Sequence, residues 1–534
     1  MNMLSCESEI EAMENNDKKT KKSSKKPTEN EIIERLRSEN LLIHDEKGVG
    51  YIAINKQGTV VIPTDSLECK KWLRNWLVKE YHRYDFKKHD IDEICGYLSA
   101  IAEVDGEERL LGVRLSKTID DSGNPKEVYY DTKTDLAVKV SADGWETIPT
   151  PIRFKRFSQQ LRQDLPMKTE SRNLELLREF VNIQDDSDFL VFMVFAVSLF
   201  VPDSPSVLLC MNGDMGAGKS ASLRLLVKLV DPSSLIEGMR MTWKTEDLIR
   251  VSSKNAVLFF DNVSSITDYQ SDDLCKICTG SSLSKRKLYT DEDELIYRVQ
   301  RPVLISGIPR LIHRADLSDR SIILTVKRLN EKQRKTQGEL DARLQELKPR
   351  ILGAIFNVLS DAIRKYKTIE PKEKPRVMDW YKLACAIADS LDGHNQSEFE
   401  TAFKKVQERQ LDYALQESPV ALAAKFLVDK CRGKWSGSAT ELLGLVLPEG
   451  VLQYSQEELD YISYLQENPY WPKNASVLGK ELARCRSTLE ACGIEVVHGD
   501  GGKSVYKGGQ RYIQLTDLNR KPEEEEFDLS DIPF

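Results

Sequence analysis

Apolar residues along this chain follow two rhythms, and the places where the rhythm changes divide it into regions. Residues 207–211, 256–260 and 302–306 are short, nearly unbroken apolar runs rich in Val, Leu, Ile and Phe. Such runs predict strands buried on both faces, as in a parallel sheet. Residues 223–230 follow the first run with helical spacing, and the stretch 189–201 is apolar throughout. At well under the roughly 20 residues that span a bilayer, that stretch predicts a buried helix packed against the sheet. From 330 to 431 the apolar positions recur at helix spacing among Lys and Glu, as in residues 351–363 and 380–391, which predicts a helical subdomain. The pattern restarts at Trp435: Ser438 and Glu441 form a capping box, and a helix from about Asn474 is expected to stop at Gly493. On that helix Leu478, Leu482, Cys485, Leu489 and Cys492 share one face, opposite Lys480, Arg484 and Ser487, and two alternating strands around a Gly-rich turn follow. A helix followed by a basic hairpin predicts a winged helix.

The N-terminal part reads differently. Residues 51–63 and 128–145 alternate like strands around a helical stretch at 69–102, which predicts a small α/β module. Residues 1–30 carry Lys18, Lys19, Lys21, Lys22, Lys25 and Lys26 among polar neighbours, too few apolar groups to offset the entropy of ordering. The expected organisation is a disordered basic arm (1–30), an α/β module (31–150), an α/β P-loop core (151–330), a helical subdomain (331–432), a winged helix (433–517) and a disordered acidic tail (518–534).

Charge adds little at the level of the whole chain. Its 534 residues hold 77 Lys and Arg against 85 Asp and Glu, a net charge of −8, so any nucleic-acid site must be local. Ten cysteines without a spacing framework and a polar, lysine-rich beginning predict a reducing cytoplasm with no membrane anchor. Cys275 and Cys278 form a lone CxxC, and without a second pair a structural zinc is not expected.

The chemistry concentrates between the first strand and the first helix of the core. Gly213, Asp214, Met215, Gly216, Ala217, Gly218, Lys219 and Ser220, followed by Ala221, match the phosphate-binding pattern G-x-x-x-x-G-K-[ST]. Its glycines let consecutive backbone N–H groups face phosphate oxygens, Lys219 adds a compact positive charge, and Ser220 can hold Mg²⁺. The second apolar strand ends in Asp261, where a carboxylate can hold the same ion through water. Asn262 occupies the place where many ATPases carry a glutamate, and an amide cannot accept a proton from the attacking water. The third strand ends in Ser306, and Arg320 follows with Asp316 and Asp319 as candidate ion-pair partners.

These segments, GDMGAGKS, FFDNVSS, the run from Leu274 through LISGI, and ADLSDRSIIL, resemble the ATPase core of superfamily 3 and phage-plasmid primase-helicases borne by mobile genetic elements. The resemblance continues more weakly through WSGSATELL and residues 471–496. It implies a ring of the AAA+ class, a hexamer, using ATP and Mg²⁺: Lys219 and Ser220 on phosphate and metal, Asp261 at Walker B, Ser306 at sensor 1, and Arg320 as an arginine finger reaching the neighbouring subunit. It also implies a pore hairpin gripping single-stranded DNA, at Lys285, Arg286 and Lys287 with Arg298 and Arg301 on the return. The family's Asn at sensor 1 is here Ser306, and its second acid is Asn262. No primase signature accompanies them, since Asp131 and Asp135 lack a partner motif for two metals.

The winged helix is expected to hold DNA through Lys480, Arg484, Lys503, Lys507 and Arg511. The acidic end closing on Asp531, Ile532, Pro533 and Phe534 resembles the tip of bacterial single-stranded DNA-binding proteins, which implies docking on host replication or repair enzymes. Three functions follow in order: a DNA helicase replicating a mobile element, an ATP-gated initiator or loader with little unwinding, and a nucleic-acid-sensing defence ATPase.

Overall fold

The structure, a computed structural model, describes residues 26–54, 60–83, 85–234, 236–241, 244–280, 282–286, 294–298, 300–307, 311–312, 314–329, 334–498, 506–507 and 510–520. The chain divides into two compact units, Met1–Ser116 with Tyr130–Val138 and Thr147–Ser158, and Lys117–Tyr129 with Lys139–Glu146 and Gln159–Phe534.

In the first unit, helix α1 (Glu29–Glu39) starts at a capping box in which Thr28 and Glu31 satisfy each other's backbone N–H groups. Strands β1 (Leu41–His44), β2 (Gly50–Ala53), β3 (Val61–Pro63) and β4 (Glu107–Glu108) form a sheet in the order β3-β2-β1-β4. Helices α2 (Leu67–Tyr81) and α3 (Lys88–Val104) cover it, burying Leu73, Leu77, Ile94 and Leu98 with Ile52 and Ile62. The helical stretch expected at 69–102 is therefore two helices. His82 ends the first in the left-handed region (φ 52°), a cap usually announced by Gly or Asn, which is why the sequence pattern does not show the break. Asp131 is buried and accepts from Arg156 Nε at 3.0 Å and Nη2 at 2.6 Å, so that carboxylate serves an internal ion pair.

The second unit is built around a parallel sheet. Helix α4 (Asp186–Ser198) is capped by Asp185 and buried from Asp188 onward on every side, as its apolar sequence requires. Then come β5 (Leu208–Gly213), α5 (Lys219–Val230), α6 (Thr245–Ser252), β6 (Leu258–Val263), α7 (Asp268–Thr279), β7 (Val303–Gly307) and β8 (Ser321–Val326). The four strands lie in the order β6-β7-β5-β8, all pairs parallel, with Met211 opposite Ser306, Phe260 opposite Ile305, and Gly213 opposite Val326. Cys275 and Cys278 are both buried on α7 in the core beside this sheet. Between α7 and β7, Ser282–Arg286 and Glu294–Arg298 pair as an antiparallel hairpin.

Helices α8 (Gln337–Lys365), α9 (Met378–Ala388), α10 (Gln396–Glu417) and α11 (Pro419–Lys430) follow. Trp380 Nε1 donates to Ser198 Oγ at 3.0 Å and Arg409 pairs with Asp188, fastening this helical group to α4. Beyond it stand β9 (Lys434–Ser438), α12 (Ala439–Leu443), α13 (Gln456–Glu467), α14 (Ala475–Ala491), β10 (Ile494–His498) and β11 (Gln510–Asp517). The capping box at Ser438 and Glu441 forms, and α14 buries Leu478, Leu482, Cys485 and Leu489. Strand β9 pairs with β11, placing Trp435 opposite Leu515, a strand that the Gly- and Ser-containing sequence KWSGS does not predict on local pattern.

Candidate nucleotide-binding site

The phosphate-loop motif sits where the parallel sheet delivers it. Strand β5 ends in Gly213 (φ 151°), and a Cβ at that position would lie 2.2 Å from the Val326 carbonyl oxygen, so only glycine lets β8 run alongside. Asp214, Met215 and Gly216 form an exposed crest, Ala217 is buried, and Gly218 caps α5 in the left-handed region (φ 83°). A glycine cap has no side chain to satisfy the first N–H groups of α5, which leaves them available to an anion together with the positive end of the helix dipole. Lys219 Nζ donates to the carbonyls of Gly213 and, at 2.9 Å, Asp214. Burial pulls its ammonium below the usual lysine value, against the charges of Asp214 and Asp261.

Asp261 lies directly beneath. Its Oδ1 accepts from Ser220 Oγ at 2.7 Å, from the Asn262 backbone N–H at 3.0 Å, and from Ser306 Oγ. Ser306 Oγ also accepts from the Asn262 N–H at 2.9 Å. Asn262 itself takes φ 53°, a region asparagine tolerates better than most residues, and the strand register shifts there between Phe260 and Val263. That bulge turns the Asn262 N–H toward Asp261 and Ser306 while the residue stays exposed. Lys219, Ser220, Asp261, Asn262 and Ser306 thus meet at one edge of the sheet, and Ser306, 1% exposed, is joined to Asp261 and Asn262.

Asn182, which the sequence reading did not single out, belongs to the same edge. Its Nδ2 donates to the carbonyls of Ala217 at 3.0 Å and Lys327 at 2.6 Å, tying the loop to the segment leaving β8. It lies just before the apolar run of α4, where no motif or periodicity marks it.

Arg320 is elsewhere. It precedes β8, and since Leu208 pairs with Ser321 while Gly213 pairs with Val326, it stands at the opposite edge from the loop. Five residues of strand put about 17 Å between those edges. In the single chain Arg320 Nη1 donates to the Asp316 carbonyl at 2.8 Å and to its carboxylate, which Arg376 also approaches at 3.1 Å. Arg320 Nε is buried without a hydrogen-bond partner among the described residues. Burial favours the neutral acid at Asp316, but hydrogen bonds from Arg320 and Cys275 and the two guanidinium charges hold its carboxyl below the usual range.

The expected DNA contacts are scattered. Lys285 and Arg286 lie on the strand Ser282–Arg286 and Arg298 on its partner, while Lys287 and Lys503 fall outside the described residues. Arg301 does not join them: its guanidinium donates to the carbonyls of Ser252, Asn255 and Gln300 and to Asp203, bracing the core. On α14, Lys480 is exposed and Arg484 is exposed but paired with Glu481 at 2.6 Å. Lys507 and Arg511 lie on the strands Tyr506–Lys507 and Gln510–Asp517. The tip residues Asp531, Ile532, Pro533 and Phe534 fall outside the described residues. No helix among the described residues is long and apolar enough to cross a membrane.

Two family models match the chain: "Actinomycete integrative conjugative element replication protein" over residues 172–404, and "AICE RepA C-terminal domain" over residues 420–526. No curated protein is significantly similar to it. Among solved structures, the apo C-terminal region of NrS-1 in its A form is 11% identical, covering 92% of this chain and 100% of that one at a TM-score of 0.39. JCV helicase is 11% identical, covering 48% of this chain and 65% of that one at a TM-score of 0.23.

Proposed function

We propose that this chain, a member of the actinomycete integrative conjugative element replication protein family over residues 172–404 and 420–526, is an ATP-driven DNA helicase that works as a ring of identical subunits. One observation carries the reading: Ser220 and Ser306 converge on Asp261 under a glycine-rich phosphate loop, while Arg320 stands at the other edge of the same sheet.

At the loop, the backbone N–H groups of 213–220 and the Lys219 ammonium hold the triphosphate. Ser220 and Asp261 offer a hydroxyl and a carboxylate within hydrogen-bond distance of each other, a donor set that suits Mg²⁺, an oxygen-seeking cation. When bound, that ion would neutralise charge on the phosphates. Ser306 and the Asn262 N–H fix the direction of Asp261, and the Asn262 amide, which cannot act as a base, serves to orient water. Arg320 reaches phosphate only on another copy, so the γ-phosphate of one subunit is completed by its neighbour. The hairpin carrying Lys285, Arg286 and Lys287 grips the backbone of one strand without reading bases. We read β9 to β11 with α12 to α14 as a winged helix that binds DNA through Lys480, Arg484, Lys503, Lys507 and Arg511. The tip Asp531–Phe534 docks on replication or repair enzymes.

The test is ATP turnover and strand displacement by the intact chain. Turnover that rises with single-stranded DNA, together with release of an annealed strand, is the expected result. A second reading, an ATP-gated initiator, is favoured by Asn262, an amide next to Asp261 where many ATPases carry a glutamate, and by Ser306, whose hydroxyl is bonded to Asp261 and Asn262. ATP-dependent DNA binding without displacement is its signature.

A further inference from the structure

Beyond the other end of the strand that begins after Arg320, past Lys327 and Arg328, the chain brings Arg334 beside the phosphate loop. Strand β8 ends at Val326 against Gly213, so the residues that follow emerge beside the phosphate loop. Among the described residues there, Asn182 ties the Lys327 carbonyl to that of Ala217, and Leu329 Cδ1 would lie 3.5 Å from a Cβ placed on Gly218. A Cβ on Gly216, at the crest of the loop, would lie 3.7 Å from Arg334 Nη2. Lys335 reaches the Glu179 carbonyl at 3.5 Å, next to the same segment. Arg334 is exposed, and among the described residues no carboxylate pairs with it.

We propose that Arg334 is a second phosphate-binding cation supplied by the same chain, closing on the β- and γ-phosphates of a nucleotide held by 213–220. The inference rests on the ATP reading above. A nucleoside triphosphate brings several negative charges to a loop whose own motif supplies a single cation, Lys219, and Arg320 is a strand length away. A guanidinium donates in a planar fork that matches two phosphate oxygens at once, which an ammonium does not. The chain would then present Arg334 to its own nucleotide and Arg320 to that of the next copy.

Titration calorimetry of the full chain with ATP and Mg²⁺, paired with melting of the nucleotide-free protein, tests this. Arg334→Ala is expected to weaken ATP binding by about 10- to 100-fold, the range for a charged hydrogen bond, with unchanged melting of the free chain, and Arg334→Lys to fall between it and the parent. ATP affinity equal to the parent, or a loss accompanied by a matching fall in melting of the free chain, overturns it. Lys219→Ala separates the two levels: if it loses ATP while Arg334→Ala keeps it, only this inference fails, and if both keep it the nucleotide site itself is misassigned.

Discussion

At the edge where β5 ends, the groups proposed to hold a triphosphate and a divalent ion come from one chain: Lys219 donates to carbonyls of the loop, and Ser220 donates to Asp261. At the edge where β8 begins, Arg320 is held by Asp316 and has no phosphate of its own chain to touch. On the function proposed above, the first edge binds and the second completes a site in a neighbouring copy. Under that proposal the difference separates binding from turnover: a solitary chain would hold nucleotide with its first edge, while rapid cleavage would need the second edge of another copy.

Perturbing each edge should therefore give different signatures. The largest effect is expected at the far edge, where Arg320→Ala should lower ATP turnover by roughly a thousandfold, in the range of arginine fingers, with ATP affinity of the isolated chain unchanged in calorimetry. A parallel loss of ATP affinity would erase the distinction. Next comes Gly213→Ala, where the added Cβ collides with the Val326 carbonyl at a backbone angle suited to glycine. It should cost roughly 2–4 kcal/mol of stability, read as a lowered melting temperature with loss of ATP binding. Ser306→Ala removes one donor from Asp261 and should reduce turnover about tenfold while raising the Mg²⁺ concentration needed for half-maximal rate. An unchanged Mg²⁺ requirement would show that Ser306 does not act through Asp261. The smallest change is expected for Arg484→Ala on α14, an exposed member of a surface pair. Melting should move by less than about 0.5 kcal/mol, and the salt dependence of DNA binding should lose about one unit of log–log slope.

The near edge was legible in the sequence because each of its parts has a local signature. The motif glycines, the apolar run ending in Asp261 and the run ending in Ser306 each fall on the strand or loop expected of them. What the sequence did not carry are relations made by folding. Asn182 belongs to the site through two backbone carbonyls distant in the chain, a contact with no periodicity to announce it. Arg301 follows a basic hairpin in the sequence and looks like part of it, yet the chain turns it onto carbonyls of Ser252 and Asn255. His82 ends a helix without a glycine, and β9 forms because β11 lies ready to pair with it. The choice of which oxygen each serine meets is also tertiary: the Ser306 hydroxyl at the end of β7 is bonded to Asp261.

Mixing two inactive variants tests the division of labour between the sheet edges most directly. Lys219→Ala keeps its arginine but lacks a working loop, and Arg320→Ala keeps its loop but lacks the arginine. If one chain's Arg320 completes its neighbour's site, combining the two purified proteins with DNA should recover ATP turnover well above the sum of the separate preparations. Turnover that stays at that sum, with mixed assemblies demonstrated to form, would contradict the account.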